Sequence, residues 1–225
     1  MYINSPVLGC QGVKCEEEWS VARLSREESR ERTRALLRRA AAANFAKYGF
    51  EGASVDQISE AAGFSRGAFY SNFADKEAIF LDLLVQHLEH DIDGFKRIAA
   101  ESRTLEELIT GLTASYRDLG QRPDWCLLSS EFQLYASRVG RPDSEFSRAY
   151  EDFRQRLSAL LDEAFQRFDF RGELSARQLA SAIIGLSHGL ALERAASKVN
   201  LPMEVTGMAI RALLFGAAAS NAGVR

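Results

Sequence analysis

The sequence is short of residues that interrupt helices, with only four prolines among 225 residues. No stretch shows the two-residue alternation of a half-buried strand, and Ala, Leu, Arg and Glu recur throughout. No apolar run approaches the ~20 residues needed to span a bilayer, and residues 1–18 lack the apolar core of a signal peptide. These absences predict an all-α protein of one or two domains that works in the cytoplasm.

Residues of redox and metal chemistry are also scarce. The three cysteines are Cys10, Cys15 and Cys126. Their odd number and the lack of a CxxC pair argue against a disulfide framework and against zinc. His87-x-x-His90-Asp91 could bring two imidazoles to one helical face, but His188 is the only other histidine, and the set does not complete a metal site. No P-loop or Rossmann glycine pattern occurs, so we expect neither a cofactor nor a metal.

The charge is distributed unevenly along the chain. The net charge is −3, which on its own disfavours a nucleic-acid partner. Residues 20–80, however, carry ten Lys/Arg and eight Asp/Glu, a local charge of +2. Any contact with DNA is therefore expected to be confined to this part of the chain.

Capping residues and apolar spacing predict nine helices. Their starts are Ser25, Ser54, Ser65, Asp75, Thr104, Pro123, residue 144, Ser175 and Pro202. The first helix is expected to end at Gly49, because glycine readily adopts the left-handed conformation that follows a helix. Ends of later helices are expected near Gly120, Val139, Val199 and Ser220. Residues 1–24 have no helical period and are predicted to be a flexible extension.

Residues 54–76 read SVDQISEAAGFSRGAFYSNFADK and have the layout of a helix-turn-helix. Ser54 begins one short helix, Gly63-Phe64 makes the turn, and Ser65 begins a second helix. The polar side of this second helix carries Arg66, Tyr70, Ser71 and Asn72. A helix of this size fits the DNA major groove, so DNA binding is the leading hypothesis.

The pattern extends to both sides of this motif. It comprises Thr33-Arg34, Ala40-Ala41, Phe45-Ala46-x-x-Gly49-Phe50 and Ser54-Val55-x-x-Ile58-x-x-Ala61-Ala62-Gly63-Phe64-Ser65-Arg66-Gly67-Ala68-Phe69-Tyr70-x-x-Phe73-x-x-Lys76-Glu77. Over about residues 33–81 it closely resembles the N-terminal domain of TetR/AcrR-type transcriptional regulators. The resemblance implies a helix-turn-helix DNA-binding domain at residues 25–74, and an effector-binding and dimerisation domain at residues 75–225.

The resemblance also implies how such a protein would work. It implies a homodimer that pairs through the last two helices, at about residues 175–199 and 202–220, and binds a palindromic operator. A small apolar effector, bound among the helices after residue 76, would then release the repressor from DNA. The alternative is a DNA-binding regulator without a ligand, either constitutive or activating.

The expected DNA-binding residues are Ser54, Ser65, Arg66, Gly67, Ala68, Tyr70, Ser71, Asn72 and Lys76. Arg66 could donate two hydrogen bonds to guanine, although a phosphate contact or a solvated position stays open. Gly67 weakens its helix, which is explained either by close approach of DNA or by tight contact with the preceding helix. Lys76 opposes the dipole of its helix, which fits a nearby phosphate. The resemblance gives the hydroxyl of Tyr70 a phosphate contact.

The arginines of the first helix are expected to form mostly a solvated face: Arg30, Arg32, Arg34, Arg38 and Arg39. The aromatic residues of the C-terminal part are expected to be mostly core. The candidates for effector contact are Trp125, Phe132, Tyr135 and His188.

A remote alternative is a serine hydrolase using Ser187, because residues 185–189 read GLSHG and match the nucleophile-elbow pattern. That motif requires a preceding strand, whereas Ile183-Ile184 continue a helical pattern here. The catalytic histidine of such enzymes follows the serine and the acid, and no histidine follows His188. We therefore expect the protein not to be an enzyme.

Overall fold

The structure is a computed structural model that describes residues 25–119, 123–138, 144–170, 173–196, 201–202 and 204–219. These residues form nine helices and no strand, which confirms the all-α prediction. The helices are α1 (Arg26–Gly52), α2 (Val55–Ala62), α3 (Arg66–Tyr70), α4 (Lys76–Glu101), α5 (Leu105–Leu119), α6 (Pro123–Arg138), α7 (Glu145–Arg167), α8 (Ala176–Ala196) and α9 (Glu204–Ala219). The predicted extension at residues 1–24, and the ends predicted at Gly120, Val139, Val199 and Ser220, lie outside the described residues.

The predicted capping residues begin the helices as expected. Ser25 accepts a hydrogen bond from the amide of Glu28 at 3.1 Å, and the Glu28 carboxylate accepts one from the Ser25 amide at 2.7 Å. Asp75 accepts from the Ala78 amide at 2.7 Å at the start of α4. Each such cap satisfies backbone donors that a helix leaves free, and stabilises it by roughly 1 kcal/mol.

The helical conformation of α1 is interrupted at Gly49, where the sequence predicted the helix to end. Gly49 has φ +71° and ψ 175°, a conformation that residues with a side chain rarely adopt. One further turn follows as far as Gly52, and the amide of Ala53 donates to the carbonyl of Gly49 at 3.3 Å. The chain thus bends sharply at Gly49 before it enters the helix-turn-helix.

One continuous hydrophobic core links the N-terminal and C-terminal helices. Leu37, Phe45, Ile58 and Phe69 are fully buried between α1, α2 and α3. Phe80 extends the same core along α4. Beyond it, α4 packs on α7, α7 on α8 and α5 on α9, while α6 lies against both α1 and α8.

Two of the arginines expected to be solvated instead tie α1 to α4. Arg34 Nη2 lies 3.0 Å from Asp82 Oδ1, and Arg38 Nε lies 2.5 Å from Asp82 Oδ2. Both guanidinium groups are half-buried, and that of Arg34 also lies 4.2 Å from the centre of the Phe73 ring. The prediction of a solvated face was wrong for these two residues, because their partner on α4 is distant in sequence.

Among the described residues, no helix combines the length and hydropathy required to cross a membrane.

Candidate nucleic-acid interface

The turn between α2 and α3 has the geometry that the sequence predicted. Gly63 adopts the left-handed conformation, with φ 75° and ψ 26°, and ends α2. The Ser65 side chain then accepts a hydrogen bond from the Ala68 amide at 3.2 Å and begins α3. Phe69 is fully buried and anchors α3 in the core, so the opposite side of this helix faces outwards.

The outward side of α3 presents Arg66 and Tyr70. The Arg66 side chain is 61% exposed, and Tyr70 is 46% exposed. Arg66 donates to the Asp56 carboxylate at 3.2 Å and to the Tyr70 hydroxyl at 3.3 Å. An exposed pair of this kind contributes little to stability, so the guanidinium group can exchange these partners for others at little cost.

Gly67 is exposed and has no close neighbour in the part of the chain that the structure describes. A Cβ atom placed on it would meet only the Ser65 hydroxyl oxygen, at 3.7 Å, which is ordinary van der Waals distance. No atom of α2 lies within reach of that position, so tight contact with the preceding helix does not account for this glycine.

The end of α3 differs from the prediction. The helix stops at Tyr70, and the Ser71 hydroxyl, which is exposed, donates to the carbonyl of Gly67 at 2.9 Å. Asn72 does not lie on the exposed face as predicted. It is half-buried, its side-chain amide donates to the carbonyl of Ala68 at 2.8 Å, and its own carbonyl accepts from Arg34 at 2.6 Å. Its backbone carbonyl thus ties the end of the motif to α1, while its side chain bonds back to α3.

Ser54 and Lys76 both have partners within the protein. The Ser54 hydroxyl accepts from the Gln57 amide at 3.2 Å, as a helix cap does. Lys76 Nζ donates to the carbonyl of Phe50 at 2.7 Å and to that of Ala53 at 3.1 Å. The Lys76 ammonium group thus supplies donors to carbonyl oxygens at the end of α1. The sequence did not indicate this reason for a cation in the first turn of α4. Contact of either residue with phosphate stays a prediction.

The four residues expected to contact an effector fall into two groups. Phe132 is buried and stacks on Phe80 with ring centres 4.8 Å apart and planes 5° apart. The Tyr135 hydroxyl donates to Glu77 Oε1 at 2.7 Å. These two residues therefore lie where α6 meets α1 and α4, next to the helix-turn-helix.

Trp125 and His188 are half-buried and lie among other C-terminal helices. The Trp125 ring stacks on His87, with ring centres 5.0 Å apart and planes 14° apart. His188 Nε2 lies 3.5 Å from the Tyr150 hydroxyl oxygen. The second group thus joins side chains from α4, α6, α7 and α8.

This second group is more polar than the sequence indicated. Burial lowers the pKa of His188 and raises those of Tyr150 and Cys126, the last to about 11, so all three are held in their neutral forms near pH 7. Arg194 donates to the Thr206 hydroxyl at 2.9 Å, while its Nε is buried without a hydrogen-bond partner. Sequence reasoning missed Tyr150 and Arg194, since each follows the ordinary pattern of a helix.

Ser187 lies in the middle of α8, where its hydroxyl donates to the carbonyl of Ile183 at 2.8 Å. A helix, and not a strand, leads into the GLSHG run, as the sequence predicted. Within the described ranges, no group of three or more His, Cys, Asp or Glu side chains is placed to hold a metal ion. His87 is half-buried and His90 is exposed.

Comparison with known proteins places these features in context. Residues 37–83 match the sequence profile of the bacterial regulatory proteins of the tetR family. The HTH-type transcriptional repressor AcnR of Corynebacterium glutamicum is 30% identical over 155 residues, which cover 65% of this chain and 76% of the repressor. An HTH-type transcriptional repressor of Mycobacterium tuberculosis is 30% identical over 128 residues, which cover 55% of this chain. The chain spans only 59% of the length of that second relative.

A solved structure supports the same fold. The crystal structure of the transcriptional regulator FadR from Bacillus subtilis, in complex with stearoyl-CoA, aligns with a TM-score of 0.59 at 17% identity. The alignment covers 80% of this chain and 96% of FadR. With a matching helix-turn-helix profile and a 30% identical relative covered over most of its length, the chain belongs to the TetR family of bacterial regulatory proteins.

Proposed function

We propose that the protein is a cytoplasmic DNA-binding transcriptional repressor that acts as a homodimer and leaves its operator when a small molecule binds. The observation that carries this proposal is the outward side of α3, where Arg66 and Tyr70 are exposed beside a glycine without neighbours. Two relatives are named transcriptional repressors, which supports repression rather than activation. Residues 25–74 would bind DNA, and residues 75–225 would bind the effector and the second subunit.

Arg66 is the proposed base-reading residue. Its present partners, Asp56 and the Tyr70 hydroxyl, hold it weakly because both are exposed. Two hydrogen bonds to guanine would discriminate against other bases by roughly 1–3 kcal/mol, more than that exposed pair contributes. Tyr70 and Ser71 would then contact the flanking phosphates, which fix position and carry no sequence information.

The dimer is proposed to form through α8 and α9, which expose small and apolar residues. These residues are Ser181, Gly185, Gly189, Leu192, Met208, Ala212 and Gly216. Leu192 is 46% exposed and Met208 is 65% exposed. Within the described ranges, an added Cβ atom at Gly185 or Gly189 would meet nothing within 4 Å outside its own helix backbone, so these positions leave room for another helix. An apolar face of this kind favours burial against a second copy.

The effector is proposed to bind near Trp125 and His188. The buried Nε of Arg194, which has no hydrogen-bond partner among the described residues, is a donor that a wholly apolar ligand would leave unsatisfied. We therefore favour a ligand with an aromatic or aliphatic body and at least one polar group. Ser187 has no part in this function and no catalytic role.

Footprinting on DNA upstream of the gene, followed by affinity measurements against salt concentration, tests the proposal. A palindromic footprint and a steep loss of affinity with salt are expected. Arg66→Ala is expected to weaken operator binding about tenfold or more while leaving the melting temperature unchanged. The matched control is Arg97→Ala, which removes an exposed arginine of α4. Equal binding by Arg66→Ala and wild type would refute the assignment.

Effector binding needs its own test. The chain contains two tryptophans, Trp19 and Trp125, so a Trp19→Phe variant reports on Trp125 fluorescence alone. A compound that changes this fluorescence, raises the melting temperature and weakens operator binding would identify the effector class. If compounds bind without changing operator affinity, the ligand-independent regulator is the correct description.

A further inference from the structure

The segment that follows the bend in α1 is held from two other helices. Because Gly49 turns the chain, the amide of Phe50 points away from the regular hydrogen bonds of α1. The Glu131 carboxylate on α6 accepts a hydrogen bond from this amide at 2.8 Å, across 81 residues of sequence. Such a bond to a charged acceptor is stronger than one between neutral groups.

Gly49 leaves the space that this carboxylate occupies. A Cβ atom at residue 49 would lie 2.9 Å from Glu131 Oε2 and 3.1 Å from Oε1, so the flexible end of the Glu131 side chain would have to shift. The glycine is required for its positive φ, and it also leaves room for the present approach of the Glu131 carboxylate.

The opposite side of the same segment is held by α4. Lys76 Nζ binds the carbonyl of Phe50 at 2.7 Å and lies 4.5 Å from the centre of its ring. That ring also contacts Phe132 of α6 and Phe80 of α4, with ring centres 5.0 and 5.1 Å apart. The Glu131 carboxylate binds the Phe50 amide, and the Lys76 ammonium group binds the Phe50 carbonyl. Together they fix the end of α1 between α4 and α6.

The same α6 helix reaches the proposed effector site. Trp125 lies six residues before Glu131, a distance of roughly 9 Å along a helix, and stacks on His87. Since a helix moves largely as a rigid rod, a ligand that displaced Trp125 would also displace Glu131 from the Phe50 amide.

We propose that Glu131 is a positioning residue that fixes the orientation of α1–α3, and with it the recognition helix, relative to the rest of the subunit. It forms what we call the α6 latch, defined by Glu131, Gly49 and Phe50. This inference rests on the proposed function, because it concerns the spacing of two recognition helices on DNA. When the latch is open, the two helices are no longer held at the ~34–36 Å that successive major grooves require.

The test compares two operators with the full-length chain. One has the natural spacing of half-sites, and the other has two base pairs inserted at its centre. Wild type is expected to bind the altered operator at least about tenfold more weakly, because the second half-site is rotated and displaced. Glu131→Ala is expected to lose most of this discrimination, whereas Glu131→Gln, whose amide oxygen can accept the same bond, is expected to retain it. Glu163→Ala, at an exposed glutamate of α7, is the matched control.

Hydrogen exchange at the Phe50 amide gives a second measurement that does not need DNA. Exchange is expected to be about tenfold or more faster in Glu131→Ala than in wild type or Glu131→Gln. If Glu131→Ala fails to fold, Glu131→Asp replaces it, since the shorter side chain keeps the charge and cannot reach the amide.

The outcomes separate the two proposals. If wild type binds no operator, the proposed function fails and the latch fails with it. If wild type discriminates between the spacings and the Ala or Asp variant does so equally, only the latch is overturned. Loss of discrimination without a fall in melting temperature, together with faster exchange at Phe50, supports it.

Discussion

At the scale of single residues, Gly67 bears most directly on DNA binding, because no contact among the described residues requires a glycine there. Gly67 lies within a helix, where glycine costs roughly 0.5–1 kcal/mol relative to alanine. Its φ is negative, and a Cβ atom would meet nothing closer than 3.7 Å. Among the described residues, neither a positive φ nor a close neighbour accounts for this glycine, and we propose that DNA approaches the backbone here.

Gly67→Ala is predicted to stabilise the protein and weaken DNA binding at once. The free energy of unfolding should rise by about 0.5–1 kcal/mol, because alanine loses less backbone entropy on folding. Operator affinity should fall about tenfold or more, since the methyl group keeps the helix from the groove. Urea unfolding and fluorescence anisotropy measure the two effects. Unchanged affinity would show that the backbone at Gly67 does not approach DNA.

At the scale of elements, the junction between α1 and α4 depends on one ammonium group. Lys76 binds the carbonyl oxygens of Phe50 and Ala53, which the bend at Gly49 leaves without helical donors. The Arg34 and Arg38 pairs with Asp82 reinforce the same junction farther along α1. The helix-turn-helix is thus attached to α4 by side chains bound to backbone atoms as well as by the core.

Lys76→Met is predicted to destabilise the fold by about 1–3 kcal/mol, because half-buried carbonyl oxygens lose their donor while the apolar stem is kept. Denaturant unfolding measures the change. Lys96→Met is the control, since Lys96 is an exposed lysine of the same helix whose pair with Asp93 contributes little. If Lys76→Met keeps the stability of wild type but loses operator binding, Lys76 acts only through contact with phosphate.

At the scale of the whole molecule, the outer face of α8 and α9 is the proposed dimer interface. It carries exposed Leu192 and Met208, and Gly185 has open space beside it. Two copies that bury this face would place two recognition helices on one DNA duplex, which a single subunit cannot do.

Gly185→Arg is predicted to convert a dimer into a monomer of 25.0 kDa, because burying an unpaired guanidinium group in the interface is unfavourable. The subunit itself should stay folded, since the position is open and arginine favours helix. Light scattering measures the mass of the assembly. Operator affinity should fall as the dimer dissociates. Gly94→Arg, at an equally open glycine of α4, is the control. A Gly185→Arg dimer with normal affinity would place the interface elsewhere.

Much of the architecture is determined by local sequence. Caps such as Ser25, Ser54 and Asp75 begin helices through bonds within three or four residues, and apolar spacing is read over one or two turns. The bend at Gly49 and the turn at Gly63 follow from the unique backbone freedom of glycine. The positions of the helices, their order and the outward side of α3 could therefore be predicted from the sequence.

Only the tertiary structure decided which side chains meet across long stretches of sequence. The partners of Lys76, Arg34 and Glu131 lie 23 to 81 residues away, and no local pattern marks them. The same reason placed Phe132 and Tyr135 at the junction of α6 with α1 and α4, and brought Tyr150 beside His188. Helix periodicity specifies which face of a helix is buried, but the partner of that face is selected by the packing of the whole chain.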